Sequence, residues 1–170
     1  MAEDKVRTVL TYLAGPIDNI NTSEAKKWRD MITIELKKCG VEALNPFGKM
    51  GGDRLEKLRN TLHDWSIRGN IDAVRSFVGT KVMPLDLIMV EKCDFVTVWI
   101  PEDSKEICGT YGETTLAYYL GKPVYIVTNR ILKPLTLPKW LVGCSTKVFT
   151  SWSDYLNYIN EYWAIYKLRE

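Results

Sequence analysis

Histidine is almost absent from this chain. His63 is the only one in 170 residues, so any Ser-His or Cys-His mechanism would rest on a single side chain. The four cysteines, Cys39, Cys93, Cys108 and Cys144, are scattered and form no C-x-x-C pair. That spacing indicates neither a zinc site nor a disulfide framework, and it reads as reduced thiols. No apolar run is long enough to span a bilayer, and the acidic opening MAEDK is followed by no apolar region of the signal-peptide kind. The expectation is a cytoplasmic protein with no membrane partner. One-sided charge is lacking too: 23 basic against 21 acidic side chains leave a net +2, which makes no case for nucleic-acid binding. There are no repeats, low-complexity segments or linkers. The glycine-rich GKMGG (48–52) lacks the G-x-x-x-x-G-K-[ST] spacing of a P-loop.

What is present fits one globular domain over residues 1–170, with 46% hydrophobic and 26% charged residues. VRTVLTYLA (6–14) is a β-rich run stopped by Gly15-Pro16. Residues 21–38 carry helical periodicity, with Trp28, Met31, Ile32 and Leu36 on one side and lysines on the other, and Gly40 closes the helix. VEAL (41–44) is a short strand and NPFGKMGG a turn-rich loop. Residues 53–79 predict one or two helices patterned on Leu55, Leu58, Leu62 and Trp65, with His63 on a solvated face. Pro84 opens the short helix LDLIMVEKC, which leads into the strand DFVTVWI (94–100). A helix containing GTYGETTLAYYLG, the strand VYIVT (124–128), a proline-punctuated loop, the strand KVFT (147–150) and a helix from Ser153 complete the chain.

Strands alternate with helices and are mostly continuous apolar runs, which predicts a doubly wound five-stranded parallel α/β sheet covered on both faces. In such sheets ligands bind beyond the carboxyl ends of the strands. Those ends carry AGPID (14–18), NPFGK (45–49), IPEDSKEICGTYGE (100–113) and TNRIL (128–132). Glu113 has two readings there. Thr110-Tyr111-Gly112-Glu113 has the form of a capping box, in which the threonine caps a helix and the glutamate reaches back. Alternatively, a carboxylate at the ligand edge attacks an electrophilic carbon. Asp86 falls in the first turn of a helix, a favoured place for an acid. Asp94 falls at a strand junction, and Tyr12 near the end of the first strand, where packing is the ordinary role. Trp152, Tyr155, Ile159, Trp163 and Tyr166 recur at helical spacing and serve as core or subunit interface.

Taken in order, YLAGPID, Asp86 eight residues before Asp94, GTYGE and LGKPVYIVTN resemble the nucleoside 2-deoxyribosyltransferase family, whose relatives include nucleoside 5′-monophosphate N-glycosidases. The resemblance runs over residues 8–130 and implies a flavodoxin-like fold. It further implies glycosyl transfer at an N-glycosidic bond, with Glu113 as nucleophile, Tyr12 orienting it and Asp86 protonating the leaving base. Gly15, Pro16, Ile17, Asp18, Asp94, Ile107, Cys108, Gly109 and Thr110 are the implied substrate-binding set. Ile107 stands where transferases of the family usually carry Asp and monophosphate glycosidases Ser, with Asp103 and Glu106 close by. No metal or organic cofactor is called for. The implied partners are a nucleoside or nucleotide, with a free nucleobase as acceptor in the transfer reading, and a second copy of the chain in a homo-oligomer. With Tyr12 and Asp86 at the same sheet edge, nucleophile is preferred over cap for Glu113. Nucleotide hydrolysis, with a 5′-phosphate held by Arg54, Arg59, Arg68, Lys49 or Arg130, and non-catalytic nucleotide binding are the alternatives.

Overall fold

Apolar runs of four to six residues with helices between them leave the chain one economical arrangement, a parallel sheet whose crossovers cover both faces. The computed structural model describes residues 7–17, 22–47, 52–104, 107–133 and 135–167, with the side chains of 22, 52–55 and 164–167 excepted. Five strands, β1 (Val9–Ala14), β2 (Val41–Leu44), β3 (Phe95–Ile100), β4 (Val124–Thr128) and β5 (Lys147–Phe149), form one sheet in the order β2-β1-β3-β4-β5. Every neighbouring pair is parallel. The order reverses between β1 and β3, which makes their carboxyl ends the crevice of the fold.

Helices α1 (Thr22–Lys38) and α7 (Trp152–Lys167) cover one face. There Trp28, Ile32 and Leu36 meet Val9, Leu13, Phe95, Tyr125, Tyr155, Ile159 and Trp163 in a single core cluster. On the other face lie α4 (Met83–Lys92), α5 (Cys108–Tyr119) and α6 (Lys139–Cys144), packing Val90, Ala117 and Leu141 onto Tyr12, Ala14, Val96, Val98 and Ile126. The two-residue period of β1 sorts Leu13 to the first cluster and Tyr12 to the second. Tyr12 therefore points at α4 and α5, and the rest of the site follows from that.

The remaining elements are α2 (Gly52–Ile67), α3 (Ile71–Phe77) and a π-helical turn, Val78–Val82, that runs directly into α4. Asn70 caps α3, its Oδ1 accepting from the Ala73 amide at 3.2 Å. The π turn offsets the helical phase before α4. Asp86, Val90 and Cys93 then face the sheet side, while Leu85 and Ile88 are exposed. Lys122, in the turn after α5, donates to the carbonyls of Glu91 and Cys93 at 2.6 and 2.5 Å and secures the end of α4.

Several boundaries differ from the sequence reading. The first strand starts at Val9 rather than near residue 6, β3 at Phe95 rather than 94, and the last helix at Trp152; β5 ends at Phe149. Helix α6 replaces part of the expected loop because Pro138 sits at its N-cap, where a missing N–H costs nothing. Met31 is exposed, lying just off the buried stripe of Trp28, Ile32 and Leu36. Leu58, Leu62 and Trp65 are only half-buried, on a helix that packs chiefly against α1 and α3. His63 is exposed, as expected. Tyr155, Ile159 and Trp163 face inward as core; the Tyr166 side chain lies outside the described residues. Among the described residues no helix is long and apolar enough to cross a membrane.

Asp94 does not belong to the ligand edge. It precedes β3 at the amino end of the sheet, where its carboxylate accepts from the Leu10 amide at 2.7 Å and from Arg7 at 2.5 Å. Asp94→Ala leaves that half-buried amide without its acceptor. We expect a loss of about 1–3 kcal/mol in urea unfolding. An unchanged unfolding midpoint would contradict this placement.

Candidate active site

Three helices each place a charged residue where their apolar stripe would carry a hydrophobic one. In α5 the buried positions are Thr110, Glu113, Thr114 and Ala117, so Glu113 occupies a core position with 7% of its surface exposed. In α4, Asp86 shares its stripe with Val90 and Cys93. In α1, Arg29 is wholly buried between Ala25, Trp28 and Ile32. The helical repeat aims all three at the sheet: Glu113 meets Tyr12 on one face, and Arg29 binds the carbonyls of Leu13 and Gly15 at the carboxyl end of β1 from the other.

The Tyr12 hydroxyl donates to Oε1 of Glu113 at 2.6 Å, a short buried bond of the charge-assisted kind. Asp86 lies near enough for Arg29 and Tyr12 to oppose the rise that burial gives its carboxyl. The capping-box reading of Glu113 is therefore overturned. Helix α5 begins at Cys108 with Ile107 as its N-cap and no side-chain cap, so Thr110 and Glu113 are already inside the helix. The Thr110 side chain is buried, and its carbonyl accepts from the Thr114 hydroxyl at 2.7 Å.

Burial raises the carboxyls of both acids, Glu113 to about 7 and Asp86 to about 6. For Glu113 the Tyr12 bond and Arg29 work against that rise, while the charge of Asp86 adds to it. Arg29 is itself lowered to about 10 by burial, and Tyr12 is raised by burial and by the two neighbouring carboxylates. Burial thus favours the neutral form of each acid, and for Glu113 the neighbouring Asp86 charge does so further. Such a pair can hold one ionised and one protonated carboxyl at once, the requirement of nucleophile-plus-acid chemistry.

Gly15 is required by a close approach. A Cβ there would lie 2.9 Å from the Trp99 carbonyl oxygen and 3.0 Å from Cζ2 of Trp28. Pro16 is buried beside it, and Ile17 packs on Ala25 and Phe47. Ile107 is buried in the α5-side core, whereas Cys108 and Gly109 are exposed at the start of α5. The structure thus brings Tyr12 and Glu113 together with Asp86 near, and places Gly15 just beyond β1 and Ile107 and Thr110 at the start of α5. It removes Asp94, while Asp18 and Glu106 lie outside the described residues.

Of the basic residues considered for a phosphate, Lys49 and the Arg54 side chain lie outside the described residues. Arg68 is paired with Asp64 on the surface. Arg130 is occupied with structure: it donates to the carbonyls of Pro101 (3.0 Å), Thr136 (3.2 Å) and Ser104 (2.5 Å), clasping the loop after β3 to the loop after β4. Two open hollows of about 500 and 370 Å³ lie on α2 and at the α2–α3 turn, lined by residues such as Asn60 and Trp65, and neither borders the Tyr12–Glu113 pair. No group of histidines, cysteines and acids suited to a metal occurs among the described residues.

Arg29 is the residue that sequence reasoning missed. Its signal was available: position 29 falls on the stripe of Ala25, Trp28, Ile32 and Leu36, and a charge there must be satisfied inside the protein.

The fold is a five-stranded parallel α/β sheet with helices on both sides, and at its switch point the buried Glu113 carboxyl is bonded to Tyr12 with the half-buried Asp86 nearby. Among solved structures the chain is similar to the Clostridium botulinum CMP N-glycosidase BcmB, with a TM-score of 0.51 and 18% identity over 90% of this chain and 98% of that one. No family model matches the chain, and no curated protein does.

The raised carboxyl of Glu113 has a consequence for stability. The folded protein keeps a proton that the unfolded chain releases near the ordinary carboxyl value. Stability is thus full below that value and declines as pH rises toward about 7. Glu113→Gln removes the penalty. The variant should be more stable than wild type at pH 8, by about 1–3 kcal/mol in denaturant titrations, and match it near pH 4. Equal stability at pH 8 would show that Glu113 ionises without cost.

Proposed function

We propose that this protein breaks the N-glycosidic bond of a nucleoside or nucleotide through a covalent glycosyl ester on Glu113. The observation that carries the reading is the buried 2.6 Å bond from Tyr12 to Glu113 with Asp86 beside it. The ionised Glu113 oxygen attacks the anomeric carbon as the carbon–nitrogen bond breaks, and the bond's electron pair passes to the leaving base. Asp86 delivers its proton to a ring nitrogen of that base, which leaves neutral. Water or a second base then attacks the anomeric carbon from the opposite side, gives its proton to the Asp86 carboxylate and releases Glu113 as a carboxylate, with retention overall. Tyr12 holds one carboxylate oxygen, so the other lone pairs remain directed at the sugar. Its hydroxyl, bonded to Glu113 with Asp86 near, offers a proton a path between the two carboxyls. The higher basicity of the buried Glu113 makes it the stronger nucleophile once that proton has moved to Asp86.

Transfer to a base, as in nucleoside 2-deoxyribosyltransferases, accords with the ordered motifs of residues 8–130. Hydrolysis is the second reading, and it is favoured by one observation: the similar structure is that of a CMP N-glycosidase. The two share every step up to the ester and differ in whether water is excluded from it.

A single panel separates the readings. The protein is incubated with CMP, dCMP, cytidine and 2′-deoxycytidine, with and without adenine as acceptor, and products are resolved by chromatography. Free cytosine without acceptor supports hydrolysis, and an adenine nucleoside or nucleotide formed only with acceptor supports transfer. Glu113→Ala should lower turnover by about a thousandfold or more, and Asp86→Asn by about 10²–10⁴-fold. Binding without turnover, unchanged in Glu113→Ala, would mark a nucleotide-binding module and overturn the reading.

A further inference from the structure

Arg29 is held in a way that packing does not explain. Its guanidinium donates to the carbonyls of Ala25 (2.9 Å) within α1 and of Gly15 (3.0 Å) and Leu13 (3.4 Å) at the carboxyl end of β1. The same group lies 4.3 Å from the ring centroid of Trp28 and 4.7 Å from that of Phe47, the residue that closes the described part of the loop after β2. One side chain thus ties the exits of β1 and β2 to α1. A leucine or methionine would fill this position without the several-kcal/mol cost of burying a cation. These neutral partners leave the positive charge to act on its surroundings. The groups that feel it are Tyr12 on β1, Asp86 on α4 and Glu113 on α5.

We propose that Arg29 is a positioning residue of this site, fixing the end of β1 that carries Tyr12 and supplying the permanent charge that keeps Glu113 ionisable beside Asp86. The proposal rests on reading Glu113 as the nucleophile. Arg29 acts through Tyr12 and the carboxyls and need not touch substrate. Its fork matters as well as its charge, since three carbonyls in two elements are bound by one planar group.

The test compares full-length wild type, Arg29→Gln and Arg29→Lys with CMP and 2′-deoxycytidine as probes. Cytosine release is measured across pH, and the carboxyls are titrated separately by carbon NMR of protein labelled at Glu and Asp, assigned with Glu113→Gln and Asp86→Asn. In Arg29→Gln we expect kcat to fall by about tenfold or more, with KM within about threefold. The acid limb and the Glu113 titration should both move up by about one pH unit, because an anion that loses a neighbouring cation holds its proton more tightly. Arg29→Lys should restore the limb and the titration while recovering only part of kcat. A folded Arg29→Gln with the wild-type limb and Glu113 titration would overturn the proposal, whatever its stability. If Arg29→Gln does not fold, Arg29→Lys decides: wild-type kcat and KM would mean the fork positions nothing. If wild type releases no base from either probe, the function proposed above fails, and the NMR titration still decides whether Arg29 governs the carboxyls.

Discussion

A carboxylate taken out of water has to be compensated where it lies, and Glu113 is taken almost wholly out of water in the middle of a helix. The hydroxyl of Tyr12, 2.6 Å away, supplies the first compensation. That contact constrains much of the molecule. Tyr12 must stand on the side of β1 facing α5, which sets the register of the strand: one residue of slip would turn Leu13 toward the acid and Tyr12 toward α1. Helix α5 must start at Cys108, so that its third turn meets the sheet with Ala117 while its second brings Glu113 to the crevice. Further charge arrives from two other helices, Asp86 from α4 and Arg29 from α1, and the β1–β3 switch point is the place in this topology where all can converge.

The architecture was largely legible. Continuous apolar strands between amphipathic helices encode a parallel sheet directly, and all five strands lie where their β-branched runs do. The errors have local causes. A proline-rich stretch hid α6, because proline at an N-cap starts a helix as readily as it ends one. The π turn ahead of α4 has no sequence signature, yet it decides which residues of α4 face inward. Asp94 entered the substrate-binding set through the family resemblance, whereas its place just before β3 puts it at the amino end of the sheet.

The site was legible in part. Glu113 also matched a capping box, and only the observed start of α5 separates an N3 residue from a core position. Reading each helix for charges on its buried stripe, rather than for motifs, would have singled out Glu113, Asp86 and Arg29 alike. A buried charge costs several kcal/mol, so charges on the inward stripes of helices that reach the same end of the sheet indicate a cluster that compensates itself. Which helices reach the same end of the sheet is a property of topology, so the stripe of α1 marks Arg29 as buried but not as a neighbour of Glu113. Arg130, which had looked like a phosphate ligand, proved to be a clasp between loops, because a free guanidinium and an engaged one look the same in sequence.

The central claim is that Glu113 forms a bond to the sugar. A 2′-fluorinated arabinosyl cytosine nucleoside and its 5′-monophosphate slow both steps by destabilising the oxocarbenium-like transition state, and a cytosine leaving group still permits the first. Intact-protein and peptide mass spectrometry after incubation reads the result. The account predicts release of cytosine together with a glycosyl adduct on the peptide carrying Glu113, absent from Glu113→Ala. Base release from ordinary nucleotides with no such adduct, continuing at the wild-type rate in Glu113→Ala, would contradict it.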